Sequence, residues 1–461
     1  MILRNSLSKK HEEFVPIDKT LVTLYSCGPT VYNNLHIGNL STFIYSDILR
    51  RSLESSGFKV KHVMNITDVD DKTIRDSKVD YPDDNPNIAL KKLTDKYAAV
   101  FREDLVKTGN AIDKMQLISA VETIPEMIVL IQKLLDNKIA YIADDGVYLS
   151  ITKYYQAGHE YGVLQKLKTQ QSQSRIINDE YDKDNASDFA LWKRAKPGDP
   201  SWPAVFSEDL METNMAGHPG WHIECSAMIQ KTFGSVPIDI HTGGIDLKFP
   251  HHENEIAQSV GAGAESLAHY FVHSNHILVD GKKMSKSAGN FYTLRDIEDK
   301  GYSATSFRLM VLESHYHSES NFSWEILDAA QNRLRNWQAI ADRRFQLAEN
   351  TDNIQLTIAR ELRSNLSTPQ ALQLIDKYFD EVVQANQSPN KAVLTAMQDM
   401  LGIDLTLSQD LDEAVKTILK KRREARTAKD WEQSDLLRDE LKNLHALTIK
   451  DNGDEQIWSR I

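Results

Sequence analysis

Residues 20–66 carry the pattern that most restricts how this chain can fold. The stretch "TLVTLYSC" (20–27) has the Val, Leu and Thr content of a buried strand. A loop around "GPT" and "NNL" follows, then a helical stretch from about Ile37 to Ser55. "FKVKHVMNI" (58–66) is a second strand, alternating at its start. Strand, loop, helix and strand in that order form a βαβ unit, which begins a parallel sheet. An α/β core built on a parallel sheet is therefore expected at the N-terminus.

The remainder is too long for that one core. At 461 residues the chain should divide into about three domains. Residues 90–137 have helical period, and "AYIADDGVYLSI" (140–151) reads as a hairpin turning near Asp145-Gly146. Residues 165–187 are rich in Gln, Ser and Asp and are expected to be a mobile loop. "VPIDIHTGGIDL" (236–247) returns to a strand and a glycine loop, and residues 325–445 are mostly helical. The N-terminus lacks the apolar stretch of a signal peptide, and no run of about 18 apolar residues offers a membrane span. Two cysteines, Cys27 and Cys225, argue against a disulfide scaffold and fit a reducing cytoplasm. The net charge of −12 is unevenly spread: residues 416–429 hold seven basic residues and one acidic.

"FPHHENEIAQ" (249–258) packs two histidines and two glutamates behind a proline suited to a helix start. On a helix, His251 and Glu255 are one turn apart and face the same way, so they can grip one ion, while His252 and Glu253 point elsewhere. The bland alternative is a solvated helix end. The only two cysteines add soft ligands, and two Cys, one His and one Glu form a set suited to Zn²⁺. Spacing alone leaves open whether these cysteines are ligands or small buried hydrophobes.

A second constellation concerns phosphate. "HIGN" (36–39) opens the first helix, placing His36, Gly38 and Asn39 at an N-terminus whose amides and dipole favour anions. "KMSKS" (283–287) places Lys283 and Lys286 in a loop of small residues able to close over a triphosphate, where their charge would offset that of a leaving pyrophosphate. Either motif alone could be an ordinary junction or a solvated basic loop. The pair in this order is specific.

With these residues in hand, the chain resembles the class I aminoacyl-tRNA synthetases, and among them the cysteinyl-tRNA synthetase family. The likeness runs end to end, through "CGPTVYNNLHIGN" (27–39), "NITDVDDKTI" (65–74), "DFALWK" (188–193), "PGWHIECSAM" (219–228), "DIHTGGIDLKFPHHENEIAQS" (239–259), "VDGKKMSKSAGNF" (279–291) and "ARTAKDWEQSDLLRDEL" (425–441). The resemblance implies a Rossmann-like parallel-sheet catalytic domain in two halves (1–120 and 215–270) around an inserted connective domain (121–214). It implies further a KMSKS and stem-contact region (271–324), a helical bundle (325–405) and a small mixed anticodon-binding domain (406–461). It also implies one Zn²⁺ per chain on Cys27, Cys225, His251 and Glu255, with His252 not a ligand. Thr67 and Trp221 would line the cysteine pocket, and Asp246 would contact adenosine or the amino group. His36, Asn39, Lys283 and Lys286 would serve catalysis. The implied reaction joins L-cysteine to its tRNA through a cysteinyl-adenylate, using ATP with Mg²⁺, in a cytoplasmic monomer.

The chemistry gives zinc a purpose. Cysteine and serine are nearly isosteric, and apolar packing separates such pairs by only about 10²-fold. A metal that binds thiolate and lowers a thiol's pKa can separate them further.

Some positions depart from the family pattern. "HIGN" stands for the usual "HIGH", and Asn39 keeps a side-chain donor. Thr242 occupies a place where glycine is common, which is tolerable only if φ is not positive there. Glu122 stands near an expected histidine, His317 where arginine is common, and His445 where glycine often precedes the final strand; no role is assigned to these three. In the C-terminal third, the basic stretch, Trp431 and Trp458 are expected to meet RNA phosphates and unpaired bases. Two rival readings are a mycothiol-type cysteine ligase, which lacks the C-terminal domain, and a catalytically silent tRNA- or metal-binding module, which would lose the phosphate lysines.

Overall fold

The computed structural model describes residues 1–165, 175–176, 188–284, 289–453 and 455–460. Its centre is a five-stranded parallel sheet of β1 (Val22–Ser26), β2 (Val60–Ile66), β3 (Met115–Ser119), β4 (Ile238–Gly244) and β5 (Ala268–Ser274). The spatial order is β5-β4-β1-β2-β3. The sequence direction thus reverses between β1 and β4, and in open α/β sheets ligands bind at such a reversal, beyond the carboxyl ends of the strands.

β1 and β4 bury almost every side chain, as parallel strands covered on both faces do. Helix α1 (Ile37–Ser55) crosses from β1 to β2, as expected from the sequence. The expected uninterrupted helical stretch over 90–137 is corrected. A helix over Pro86–Lys107 and another over Ile124–Asp136 flank β3. As the sheet's edge strand, β3 has only Ile118 fully buried, so "MQLIS" carries too weak an apolar signal to stand out from its helical flanks.

The expected hairpin forms, with Ala140–Ala143 antiparallel to Gly146–Leu149. It joins Asp188–Arg194 and Gly217–Pro219 in a separate sheet beside the core. The polar stretch 165–187 lies almost wholly outside the described residues. Helices α2 (Trp221–Phe233) and α3 (His251–Gly261) then pack together against the main sheet.

Helices Trp324–Ala341, Gln355–Arg363 and Thr368–Gln384 form the following helical region. The preceding helix, Ala304–Leu312, is tied to α1 by a buried ionic knot through Arg308. Asp47 accepts from Arg50 (2.7 Å), Arg51 (2.6 Å) and Arg308 (2.6 Å). Arg308 also donates to the carbonyls of Leu401 and Thr108.

Two helices, Glu413–Thr427 and Trp431–His445, and a hairpin, Leu447–Asn452 with Glu455–Arg460, close the chain. The left-handed residue before the final strands is Ala446 (φ +51°), one beyond His445, which ends its helix in ordinary conformation. No helix among the described residues is long and apolar enough to cross a membrane.

Candidate active site and metal centre

The site is assembled where the sheet's order reverses. Cys27 directly follows β1, and its N–H donates to the Thr242 carbonyl of β4 (2.9 Å). Thr242 is in the strand without positive φ, so a side chain costs nothing there. Cys225 comes from the middle of α2, and His251 and Glu255 from the first turns of α3. One ligand atom from each of these four buried residues lies within 4.8 Å of the other three. The two Sγ atoms are 3.9 Å apart, Cys27 Sγ is 3.9 Å from Glu255 Oε1, and that oxygen is 3.0 Å from His251 Nε2. Two thiolates each about 2.3 Å from a tetrahedral ion stand about 3.8 Å apart, so this spacing fits a metal.

The charges fit as well. Burial would lower the His251 pKa, yet the Glu255 carboxylate and the Cys225 thiol raise it to about 10. Burial would raise that of Glu255, yet His241 and His251 lower it to about 2. Cys225, pushed up by burial, is brought down to about 6 by hydrogen bonding from Cys27 and by His251. Buried anions thus draw positive charge into the pocket, and a proton on His251 stands where a cation would serve.

Sequence reasoning missed the surrounding polar shell. His241 Nε2 meets the other Glu255 oxygen at 2.8 Å, fixing that carboxylate with Oε1 toward the cysteines. His222 Nδ1 is 2.9 Å from His251 Nδ1. The expectation that His252 and Glu253 turn away holds for Glu253, which accepts the N–H groups of Gly162, Val163 and Leu164. It fails for His252, whose Nε2 is 3.3 Å from Cys27 Sγ and whose Nδ1 is 2.8 Å from His273. Full burial of α3's first turns brings neighbouring residues inward as well as those one turn apart. Cys27, His241, His252 and Glu255 therefore form a second donor set that overlaps the first. The signal for His241 was legible: a histidine in "IDIH", within a strand otherwise buried on both faces.

Trp221 stacks on His251, with ring centroids 4.4 Å apart. Thr67, just beyond β2 and buried, donates to Glu224 Oε2 at 3.0 Å. The phosphate motif opens α1 as expected, with His36 as N-cap. His36 Nδ1 accepts from the Asn39 N–H (3.2 Å), so the neutral ring carries its proton on Nε2. Burial lowers its pKa to about 4 against the pull of Asp246, so the ring is neutral near pH 7. A Cβ on Gly38 would lie 2.8 Å from Met284 Cε and 2.9 Å from the His36 ring, which shows how closely the 283–284 segment covers this turn. Lys283 is exposed on a two-residue strand. Lys286 lies outside the described residues. Asp246 is exposed on a short 3₁₀ turn after β4. Glu122 is exposed too, its carbonyl accepting from Lys231.

The C-terminal basic stretch is only partly free. Arg422 is buried and forms a two-pronged pair with Asp451 (2.8 and 2.9 Å), which Arg426 and Arg438 also approach. The expected base-stacking role of Trp458 is corrected: it is 5% exposed and stacked on Phe345. Trp431 is 56% exposed and stays open to solvent. Among the described residues, Lys421, Arg423 and Lys429 are exposed and have no carboxylate partner.

A reversed-order parallel sheet, with a phosphate-type helix start and the Lys283–Met284 segment against it, defines the class I synthetase catalytic core. Residues 13–332 match the family model "tRNA synthetases class I (C) catalytic domain", and residues 408–458 match "Cysteinyl-tRNA ligase anticodon binding domain". A methionyl-tRNA synthetase of Mycobacterium tuberculosis, solved with methionyl-adenylate, shares the fold at a TM-score of 0.54 and 12% identity, covering 83% of this chain and 88% of that one.

The chain belongs to the cysteine--tRNA ligase family. It is 39% identical to the Cysteine--tRNA ligase of Leptospira interrogans serogroup Icterohaemorrhagiae serovar Lai, covering 99% of this chain and 98% of the relative. It is 37% identical to that of Brachyspira hyodysenteriae, covering 100% and 99%.

Proposed function

We propose that the chain ligates L-cysteine to its tRNA at the expense of ATP, with the substrate thiol chosen at the Cys27, Cys225, His251 and Glu255 centre. The observation that carries this reading is the convergence of those four buried donors within 4.8 Å of one another, with the two sulfurs 3.9 Å apart, at the sheet's order reversal. This set is favoured over the one containing His241 and His252 because it holds both thiols, the softer donors. Bound there, Zn²⁺ would supply a Lewis acid that accepts a thiolate far better than a hydroxyl.

The chain's own groups do the rest. Trp221 and Thr67 bound the cysteine side of the pocket, and Asp246 faces the nucleotide or the amino group. The Nε2–H of neutral His36 and the Asn39 amide donate to phosphate oxygens as the cysteine carboxylate attacks the α-phosphate and pyrophosphate leaves. Gly38 lets the phosphates approach the start of α1. Lys283 and Lys286 offset charge on the departing pyrophosphate. No protein nucleophile is needed, and positioning supplies much of the rate. Mg²⁺ accompanies ATP.

The division proposed for these tasks is 1–120 and 215–270 for the catalytic sheet, 121–214 for the insert and 271–324 for the lysine loop. Residues 325–405 form the bundle and 406–461 the RNA-reading end, in a cytoplasmic monomer. Lys421, Arg423, Lys429 and Trp431 are among the groups there available to RNA.

The test pairs cysteine-dependent ATP–pyrophosphate exchange with tRNA charging, on the whole chain and on one cut near residue 405. Exchange should persist after the cut while charging collapses. A whole chain that joins cysteine to a small amine but never to tRNA would favour the ligase alternative.

A further inference from the structure

Four groups around the pocket form one chain of hydrogen bonds whose direction is fixed at one end. The backbone N–H of Gly28, next to Cys27, can only donate, and it donates to Asn65 Oδ1 at 2.7 Å. That settles the orientation of the Asn65 amide, so Nδ2 faces Thr67 and donates to its Oγ1 at 3.1 Å. With one lone pair so occupied, the Thr67 hydroxyl hydrogen goes to Glu224 Oε2 at 3.0 Å, an unprotonated oxygen of a carboxyl whose pKa burial pushes well above the usual range. Asn65, Thr67 and Glu224 are 2%, 2% and 0% exposed, so water does not compete.

The backbone makes this chain rigid. A Cβ on Gly28 would lie 1.8 Å from the Asn65 carbonyl oxygen, so the loop after Cys27 rests directly on the end of β2. Thr67 N–H donates to the Pro29 carbonyl, and Val31 N–H to that of Thr67. Glu224 is the residue before Cys225. The chain of bonds therefore runs from beside one cysteine to beside the other, through Thr67.

We infer that Glu224 is a positioning residue which, acting through Thr67, holds that hydroxyl as a pure acceptor toward the substrate. A hydroxyl has one hydrogen and two lone pairs. Glu224 takes the hydrogen and Asn65 one lone pair, which leaves the other to receive a donor. Of the polar groups L-cysteine presents, only the ammonium can donate a hydrogen bond once the thiol is deprotonated. Thr67 thus recognises the α-ammonium, and Glu224 prevents the hydroxyl from turning its hydrogen into the pocket. This rests on Thr67 lining the cysteine pocket, as proposed above.

The test uses the full zinc-loaded chain. Glu224→Met keeps volume and removes the acceptor; Glu224→Gln keeps an acceptor oxygen. In ATP–pyrophosphate exchange, Glu224→Met should raise the KM for cysteine by about 10- to 100-fold, the range for losing one hydrogen bond to a charged group. The KM for ATP, the zinc content and the melting temperature should hold. Glu224→Gln should restore most of the cysteine KM. Asn65→Ala enters the same chain from its far end and should also raise the cysteine KM selectively, which keeps the test decisive if Glu224→Met fails to fold. An unchanged cysteine KM in both Glu224→Met and Asn65→Ala, or a Glu224→Gln variant no better than Glu224→Met, overturns the inference. Thr67→Val separates the two levels. If it leaves the cysteine KM unchanged, Thr67 is not in the pocket and the underlying reading fails. If it raises that KM while the Glu224 variants do not, only the positioning role fails.

Discussion

Cys27 and Cys225 lie 198 residues apart in the chain, yet their sulfurs stand 3.9 Å from one another, with His251 and Glu255 alongside. One thiol comes from the end of a strand and the other from a helix, so the pair exists only in the folded sheet.

From that arrangement, purified protein is expected to carry about one zinc per chain, the normal load of a single four-donor site. Cys225→Ser and Glu255→Ala should weaken cysteine binding more than ATP binding, measured by calorimetric titration with each. Equal losses for both substrates would indicate damage to the fold. Metal analysis finding no zinc in active protein would remove the metal from the account.

Asp47 gives an electrostatic prediction remote from the metal. Burial raises its pKa, but Arg308, Arg51 and Arg50 more than offset this and hold it well below the usual 3.8. A carboxylate with a depressed folded pKa contributes stability above its unfolded value and loses it as pH falls below that value. Asp47→Asn leaves Arg308 buried without its counter-charge, and removing one partner of such a buried pair costs about 3–5 kcal/mol. Urea unfolding at pH 7 should show that deficit, and the gap from the parent should narrow toward pH 3. A deficit independent of pH would mean that size, not charge, is at issue.

At the RNA-reading end, the account separates paired from free cations. Lys421→Ala with Arg423→Ala should lower the log–log salt slope of tRNA binding by about 2, since each phosphate contact contributes about 0.9. Melting should be unaffected. Arg422→Ala should instead loosen the hairpin held through Asp451, lowering the melting temperature. The opposite pattern would invert the assignment of these basic residues.

Ala446 takes a left-handed conformation (φ +51°) at the end of its helix while exposed to solvent. Non-glycine residues pay about 1 kcal/mol there, so Ala446→Gly should stabilise the C-terminal unit by up to about that amount. Thermal melting of the two proteins decides it; a loss of stability would contradict the geometry.

The βαβ start, α1 and the helix carrying His251 and Glu255 were legible because each rests on local patterning: an apolar run, a cap, a one-turn spacing. Edge strand β3 was not, since only Ile118 in it is fully buried. The four-donor cluster was half legible. His251 and Glu255 follow from helix period, whereas their meeting with Cys27 and Cys225 depends on tertiary packing that spacing does not encode. The polar shell of His252 and Glu224 was hidden for the same reason, whereas His241 was open to reading as a lone histidine in a strand buried on both faces. Charge runs misled at the C-terminus, where Arg422 is as basic in sequence as Arg423 but is spent on Asp451. Trp458 likewise reads as an RNA-facing aromatic until Phe345 is seen stacked on it.

Thiol selection by the buried four-donor centre is the core of the account, and ATP–pyrophosphate exchange without tRNA measures it most directly. The assay compares zinc-loaded and metal-stripped protein, each given cysteine, serine or another amino acid. Zinc-loaded protein should exchange with cysteine, with serine slower by well over the about 10²-fold that packing alone provides. Stripping should abolish the cysteine-dependent rate, and added Zn²⁺ should restore it. Exchange with serine at a rate near that of cysteine, or full cysteine-dependent exchange in metal-stripped protein, would contradict it.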